Sequence, residues 1–182
     1  MDSMTFLLFG ATGDLAKRKI YPALYKLFSN QNIPQSISII GIGRKVMSDV
    51  EFQTKVEQSL ATFSRISTDD ESGVEEFIST FRYCQLDTAN IVGYQDLLSL
   101  VKKRETELNI PENRMFYLSV VPEVFDVIAL NIKESGLWAT KGLNRLIIEK
   151  PFGHNVKSAR ELNTKVIKSF YKADIYCIDH YL

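Results

Sequence analysis

Short runs rich in β-branched and aromatic residues alternate along the whole chain with longer stretches whose apolar residues recur every three to four positions. The first pattern is that of strands and the second that of amphipathic helices. Strict alternation of the two leaves few folds open, because a strand followed by a helix and another strand builds parallel pairs with the helices laid over the sheet. Strands are expected at residues 5–9, 36–42, 81–86, 114–121, 145–149 and 175–178, and helices at 15–28, 49–63, 74–78, 91–108, 123–134 and 156–170. Several strand segments, "SISIIGI" and "NRLIIE" among them, are apolar almost without interruption. That marks strands buried on both faces, as in parallel sheets. The expected fold class is therefore α/β, a doubly wound, mostly parallel, Rossmann-like sheet of six strands in the order 3-2-1-4-5-6. A chain of 182 residues suffices for one such domain, spanning 1–182. The acidic stretch 64–73 reads as a solvated connection, and the single tryptophan, Trp138, as packing at the sheet's edge.

Charge narrows the partners. With 22 basic and 22 acidic side chains the formal net charge is zero, so no long-range field gathers nucleic acid or an anionic membrane. The cations of "KRK", residues 17–19, make a weak nucleic-acid footprint in a neutral chain. No apolar run approaches the roughly 18 residues of a membrane span. The N-terminus "MDSMTFLLFGATG" lacks the basic region and cleavage site of a signal peptide, so a cytoplasmic location is expected. Neither Cys84 nor Cys177 stands in a CxxC motif or directly beside a histidine, so no metal site is expected; both are expected to be small core residues, unpaired.

The chemistry begins where the first strand ends. "FGATGDLAKRK" places Gly10 and Gly13 between an apolar strand and an amphipathic helix, at the edge where doubly wound sheets bind ligands. Glycines there let a pyrophosphate approach the backbone, and the following helix offers free N–H groups and a partial positive charge. Thr12 adds a hydroxyl, Ala16 allows close helix packing, and Asp14 is placed to cap the helix. By themselves the two glycines fit a phosphate cradle or a tight structural turn equally well, because the usual G-x-G-x-x-G would need glycine where Leu8 stands. A Walker loop is excluded, since neither glycine is followed by the required Gly-Lys-Ser/Thr continuation. The end of the second strand refines the ligand. An acidic residue there favours NAD, whereas "IIGIGRK" carries Arg44, suited to a 2′-phosphate, so NADP is the expected cofactor. No tyrosine has a lysine four positions later, which disfavours the large class of NADP enzymes built on that pair.

Four segments, "FGATGDLAKRKIYPALYKLF", "FYLSVVP", "RLIIEKPFGH" and "IDHYL", resemble in this order the N-terminal coenzyme domain of the glucose-6-phosphate dehydrogenase family. The resemblance covers essentially the whole chain. It implies oxidation of glucose 6-phosphate at C1 to the lactone with hydride transfer to NADP, the entry to the oxidative pentose phosphate pathway. It assigns Gly10, Ala11, Thr12, Gly13, Asp14, Leu15, Ala16 and Lys17 to the coenzyme's pyrophosphate turn and Arg44 to its 2′-phosphate. Asp87 and Thr88 would lie beside the adenosine half, and Val121 and Pro122 near the middle of the cofactor. Lys150 matches a lysine that touches both coenzyme and sugar phosphate, while His180 and Tyr181 match residues gripping the substrate's phosphate.

In that family D-H-Y-L continues as G-K-E into an α+β domain that supplies the histidine general base and, through that domain, a homo-oligomer. This chain stops at Leu182, so no catalytic base is expected within it, and it is expected to bind NADP without turnover. A non-catalytic, redox-sensing NADP module is the alternative, and Lys150 with His180 and Tyr181 weighs against it.

Overall fold

The structure, a computed structural model, describes residues 2–66, 70–150, 161, 170 and 174–179. Its strands are β1 (Thr5–Phe9), β2 (Ser38–Gly43), β3 (Phe81–Gln85), β4 (Arg114–Leu118), β5 (Asn144–Lys150) and β6 (Ile175–Asp179). Its helices are α1 (Tyr21–Ser29), α2 (Asp49–Phe63), α3 (Glu71–Ser79), α4 (Ile91–Leu108) and α5 (Phe125–Glu134). The helix expected at 156–170 lies outside the described residues, save for 161 and 170.

All five strand pairings are parallel, and the sheet runs β3-β2-β1-β4-β5-β6. This is the order expected from the sequence. Both faces are buried where the apolar runs demanded it, since every residue of β1 is buried. On one face Phe6, Leu8, Ile39 and Phe81 pack with Tyr21, Phe28, Phe52 and Phe77 of α1, α2 and α3. On the other, Leu7, Ile40, Phe116 and Leu146 pack with Tyr94 and Leu97 of α4 and Ile128 of α5. Right-handed crossovers on either side of β1 force this division, because the two halves of the sheet wind in opposite directions from it. The division leaves an apolar groove of about 290 Å³ beside α1, floored by Met115, Tyr117, Ile147 and Ile178.

Three expectations are corrected. The stretch 64–73 is not all loop, because α3 begins at Glu71, and the Asp70 carboxylate accepts a hydrogen bond from Tyr25. Trp138 lies over Phe116 at 5.5 Å and Phe170 at 4.4 Å, so it covers β4 in the body of the sheet rather than its edge. Cys84 is buried on β3, and burial pushes its thiol up to about 11, but Cys177 is exposed on β6 and is no core residue. Neither is in a disulfide, and their strands form opposite edges of the sheet.

Among the described residues, the β4 entrance holds the most buried charge. The Arg114 guanidinium donates to both Glu105 carboxylate oxygens, at 2.8 and 3.0 Å, and to the Leu137 carbonyl at 2.8 Å. The two side chains are 1% and 6% exposed. They join the end of α4 and the turn after α5 to the sheet. Removing one partner strands the other charge in the interior, which costs far more than the intact pair contributes. Glu105→Ala is therefore expected to lower stability by about 3–5 kcal/mol in urea unfolding. A loss below about 1 kcal/mol would place this pair among surface contacts.

Candidate functional site

Parallel pairing brings the carboxyl ends of all six strands to one edge, and the crossover direction reverses between β1 and β4. The chain leaving β1 is stitched to both neighbours there. The N–H groups of Gly10 and Ala11 both donate to Ile42 of β2, each at 3.1 Å, and the Ser119 N–H donates to Phe9 at 2.9 Å. Gly13 closes the turn by donating to the Gly10 carbonyl at 3.0 Å. Gly10 has φ +85°, and a Cβ built on it would lie 1.9 Å from the Ser119 oxygen. Its missing side chain thus makes room for β4, not first of all for a ligand. Gly13 differs: a Cβ there would meet only the Gly10 oxygen, at 3.2 Å.

The turn leads into a helix that begins at Asp14, is π-helical over Ala16–Ile20 and continues as α1. Such bulges recur at functional sites. The first helical amides lack intrahelical partners and present a partial positive charge. Asp14 does not cap this helix. It is the first helical residue, and its carboxylate pairs with Arg18 at 2.9 Å. Arg18 also lies 5.2 Å from the Phe63 ring centre, and Lys19 lines the apolar groove. Arg18 and Lys19 therefore meet different surroundings. Tyr21 donates its hydroxyl to the Ala11 carbonyl, pinning the turn from beneath; burial holds that phenol well above its ordinary range, so it stays protonated.

Arg44 and Lys45 follow β2, both exposed, and among the described residues no ion pair involves either. The Thr12 side chain lies 3.6 Å from where a Gly43 Cβ would stand, which makes the glycine turn and the Arg44 segment contiguous. Asp87 and Thr88 follow β3 on the same edge. The Asp87 carboxylate accepts from Ala89 N–H at 3.1 Å, and the Thr88 carbonyl accepts from Tyr94 at 2.8 Å and Asn131 at 3.0 Å. Val121 is exposed just past β4, where Pro122 opens a short 3₁₀ turn. Lys150 ends β5, in register with Asp179 of β6. One residue earlier, the Glu149 carboxylate accepts from the Tyr117 hydroxyl across β4 and β5, and burial with this carboxylate raises the Tyr117 phenol. His180 and Tyr181 lie outside the described residues. Tyr21, Tyr83 and Gln85, which hold the backbone of the site, carried no spacing signal, because their partners are 10 to 41 residues away.

A cavity of about 320 Å³ bounded by Asp2, Asn113, Arg114 and Arg145 lies at the opposite, amino edge of the sheet. Among the described residues no helix starts there. Among the described residues no group of three or more metal-ligating side chains occurs, and no helix is long and apolar enough to cross a membrane.

A glycine turn at the β1–β4 switch point, a helix start behind it and an exposed arginine after β2 define a dinucleotide-binding domain of the doubly wound class. Comparison with known proteins agrees. Residues 7–182 match the family described as glucose-6-phosphate dehydrogenase, NAD binding domain. The chain is 42% identical over 176 residues to the glucose-6-phosphate 1-dehydrogenase of Bacillus subtilis, covering 97% of this chain and 35% of that protein. It is 38% identical over 174 residues to the enzyme of Leuconostoc mesenteroides, covering 96% and 35%. A solved glucose-6-phosphate dehydrogenase in complex with its substrate glucose-6-phosphate superposes with a TM-score of 0.90 at 32% identity, over 99% of this chain and 37% of that one. The chain belongs to the glucose-6-phosphate dehydrogenase family, in its coenzyme domain, and spans about a third of the length of the curated relatives it matches.

The two glycines are expected to fail differently. Gly10→Ala combines a left-handed backbone with overlap on the Ser119 carbonyl and should cost about 2–5 kcal/mol of stability. Gly13→Ala should cost no more than about 1 kcal/mol. Equal losses in chemical denaturation would contradict this division.

Proposed function

We propose that this chain is the NADP-binding part of a glucose-6-phosphate dehydrogenase, acting on glucose 6-phosphate in the cytoplasm as a step of the pentose phosphate pathway. The observation that carries NADP rather than NAD is the residue after β2: an exposed arginine, contiguous with the glycine turn, where NAD-specific domains carry a carboxylate. A guanidinium meets a phosphate with paired, charge-assisted hydrogen bonds that a ribose hydroxyl cannot reproduce.

The residues fit the cofactor as follows. Thr12 and the helix start at Asp14, Leu15 and Ala16 would offer backbone N–H groups and helix charge to the pyrophosphate, while Gly10, Ala11, Gly13 and Lys17, whose own N–H groups donate to Ile42, Gly10 and Gly13 carbonyls, would shape the turn around it. Arg44 would hold the 2′-phosphate. Asp87 and Thr88 would flank the adenosine, and Val121 and Pro122 the middle of the dinucleotide. Bound there, NADP supplies the hydride acceptor for oxidation at a sugar carbon. Lys150 at the end of β5 would orient the anionic substrate against it, with His180 and Tyr181 gripping the substrate phosphate. The base that takes the hydroxyl proton would come from polypeptide beyond Leu182, in the part of the longer relatives that this chain does not span, and so would a homo-oligomeric interface. Support comes from the Bacillus subtilis and Leuconostoc mesenteroides relatives, both named for this activity, and from the solved relative that holds glucose 6-phosphate.

The test is calorimetric titration of the 182-residue chain with NADP and NAD. NADP should bind more tightly, and Arg44→Ala should remove about 1.5–3 kcal/mol of that preference. An unchanged NADP-to-NAD affinity ratio in Arg44→Ala would contradict the assignment.

A further inference from the structure

Three successive carbonyls at the end of β2 each accept a hydrogen bond from β3 or the residue after it. Gly43 accepts from the Leu86 N–H at 2.8 Å, Arg44 from the Gln85 side-chain amide at 3.3 Å, and Lys45 from the Tyr83 hydroxyl at 2.7 Å. Only the first is backbone pairing. The other two are made by side chains that reach past the end of the ladder and tie down a segment whose own side chains are exposed. Gly43 leaves the passage open, because a Cβ there would lie 2.8 Å from the Tyr83 hydroxyl oxygen. The Tyr83 ring is seated independently, 5.1 Å from the Phe52 ring centre. Its backbone N–H donates to Asp49 at 2.7 Å in the first turn of α2, where Ser48 and Glu51 form a reciprocal cap. The segment 44–48 is thus anchored at both ends and along its backbone, while the Arg44 and Lys45 side chains remain uncommitted to any ion pair among the described residues.

A long cation free to sample many rotamers loses entropy when a ligand fixes it, and a fixed backbone beneath it lowers that cost. We infer that Tyr83, assisted by Gln85, is a positioning residue for coenzyme selectivity: its hydroxyl fixes the Lys45 carbonyl so that the Arg44 and Lys45 side chains are presented together to a 2′-phosphate. The inference rests on the reading of Arg44 as the 2′-phosphate contact. Burial raises the Tyr83 phenol above its ordinary value, so it remains a donor through neutral and mildly alkaline pH.

The test compares wild type, Tyr83→Phe, Gln85→Leu and Arg44→Ala in the full chain. Each is titrated with NADP, NAD, adenosine 2′,5′-bisphosphate and AMP, alongside its thermal midpoint. Phenylalanine keeps the ring on Phe52, and Gln85 is exposed, so the second variant still tests the idea if the first folds poorly. Tyr83→Phe and Gln85→Leu should each weaken NADP and the bisphosphate about two- to tenfold, the worth of one hydrogen bond, while NAD and AMP change less than about twofold. A selectivity ratio unchanged in both variants while Arg44→Ala lowers it would overturn the role of Tyr83 alone. Equal weakening of NADP and NAD would reduce Tyr83 to a structural residue and overturn it too. A ratio unchanged even in Arg44→Ala would overturn the parent reading and this inference together.

Discussion

The closeness with which the exit of β1 passes the exit of β4 sets the geometry of the whole carboxyl edge. Gly10 touches the Ser119 backbone at a distance no side chain could share, and it does so in a left-handed conformation. Its N–H and that of Ala11 reach in the opposite direction to β2. One dipeptide therefore joins both halves of a sheet whose helices lie on opposite faces. The turn up to Gly13, the helix start behind it and the position of Thr12 beside Gly43 follow from this junction. A ligand at this edge meets backbone groups that are already fixed, which lowers the ordering cost of binding.

Electrostatics here is local. The chain is formally neutral, so any preference for a phosphorylated ligand rests on a few placed groups rather than on a field. Of the cations near the turn, Arg18 is engaged by Asp14 and Phe63, while Arg44 and Lys45 sit over a backbone anchored by β3. Cations held beneath and open above are suited to meeting an anion with charge-assisted bonds.

Short-range patterns in the sequence led correctly to the fold. The unbroken apolar character of β1 and β2 pointed to two-sided burial, and alternation with amphipathic stretches pointed to parallel pairing in the order 3-2-1-4-5-6, as observed. The location of the glycine turn was legible for the same reason, since it follows β1 directly. What failed to show were matters decided across space. The neighbours of Asp14 suggest a cap, but Arg18, one turn on, takes the carboxylate. The acidic run 64–73 concealed the start of α3, whose apolar side is completed by Phe77 against Tyr25 and Phe28 from another helix. The lack of a pairing or metal motif at Cys177 suggests a core thiol, yet β6 is an edge strand and its middle is exposed. Tyr83 and Gln85 gave no signal at all, because their partners lie on another strand's exit and only strand pairing brings them together.

Under the proposed function a dinucleotide lies on this edge with its 2′-phosphate at Arg44. Backbone amide NMR shifts of the 182-residue chain, recorded during titration with NADP and separately with NAD, test it most directly. Both ligands should move the amides of residues 10–17 and 87–88, and the difference between the two should concentrate at residues 43–45. Shifts centred on the amino-edge cavity around Asp2, Asn113 and Arg145, or a NADP–NAD difference that leaves Arg44 and Lys45 untouched, would contradict it.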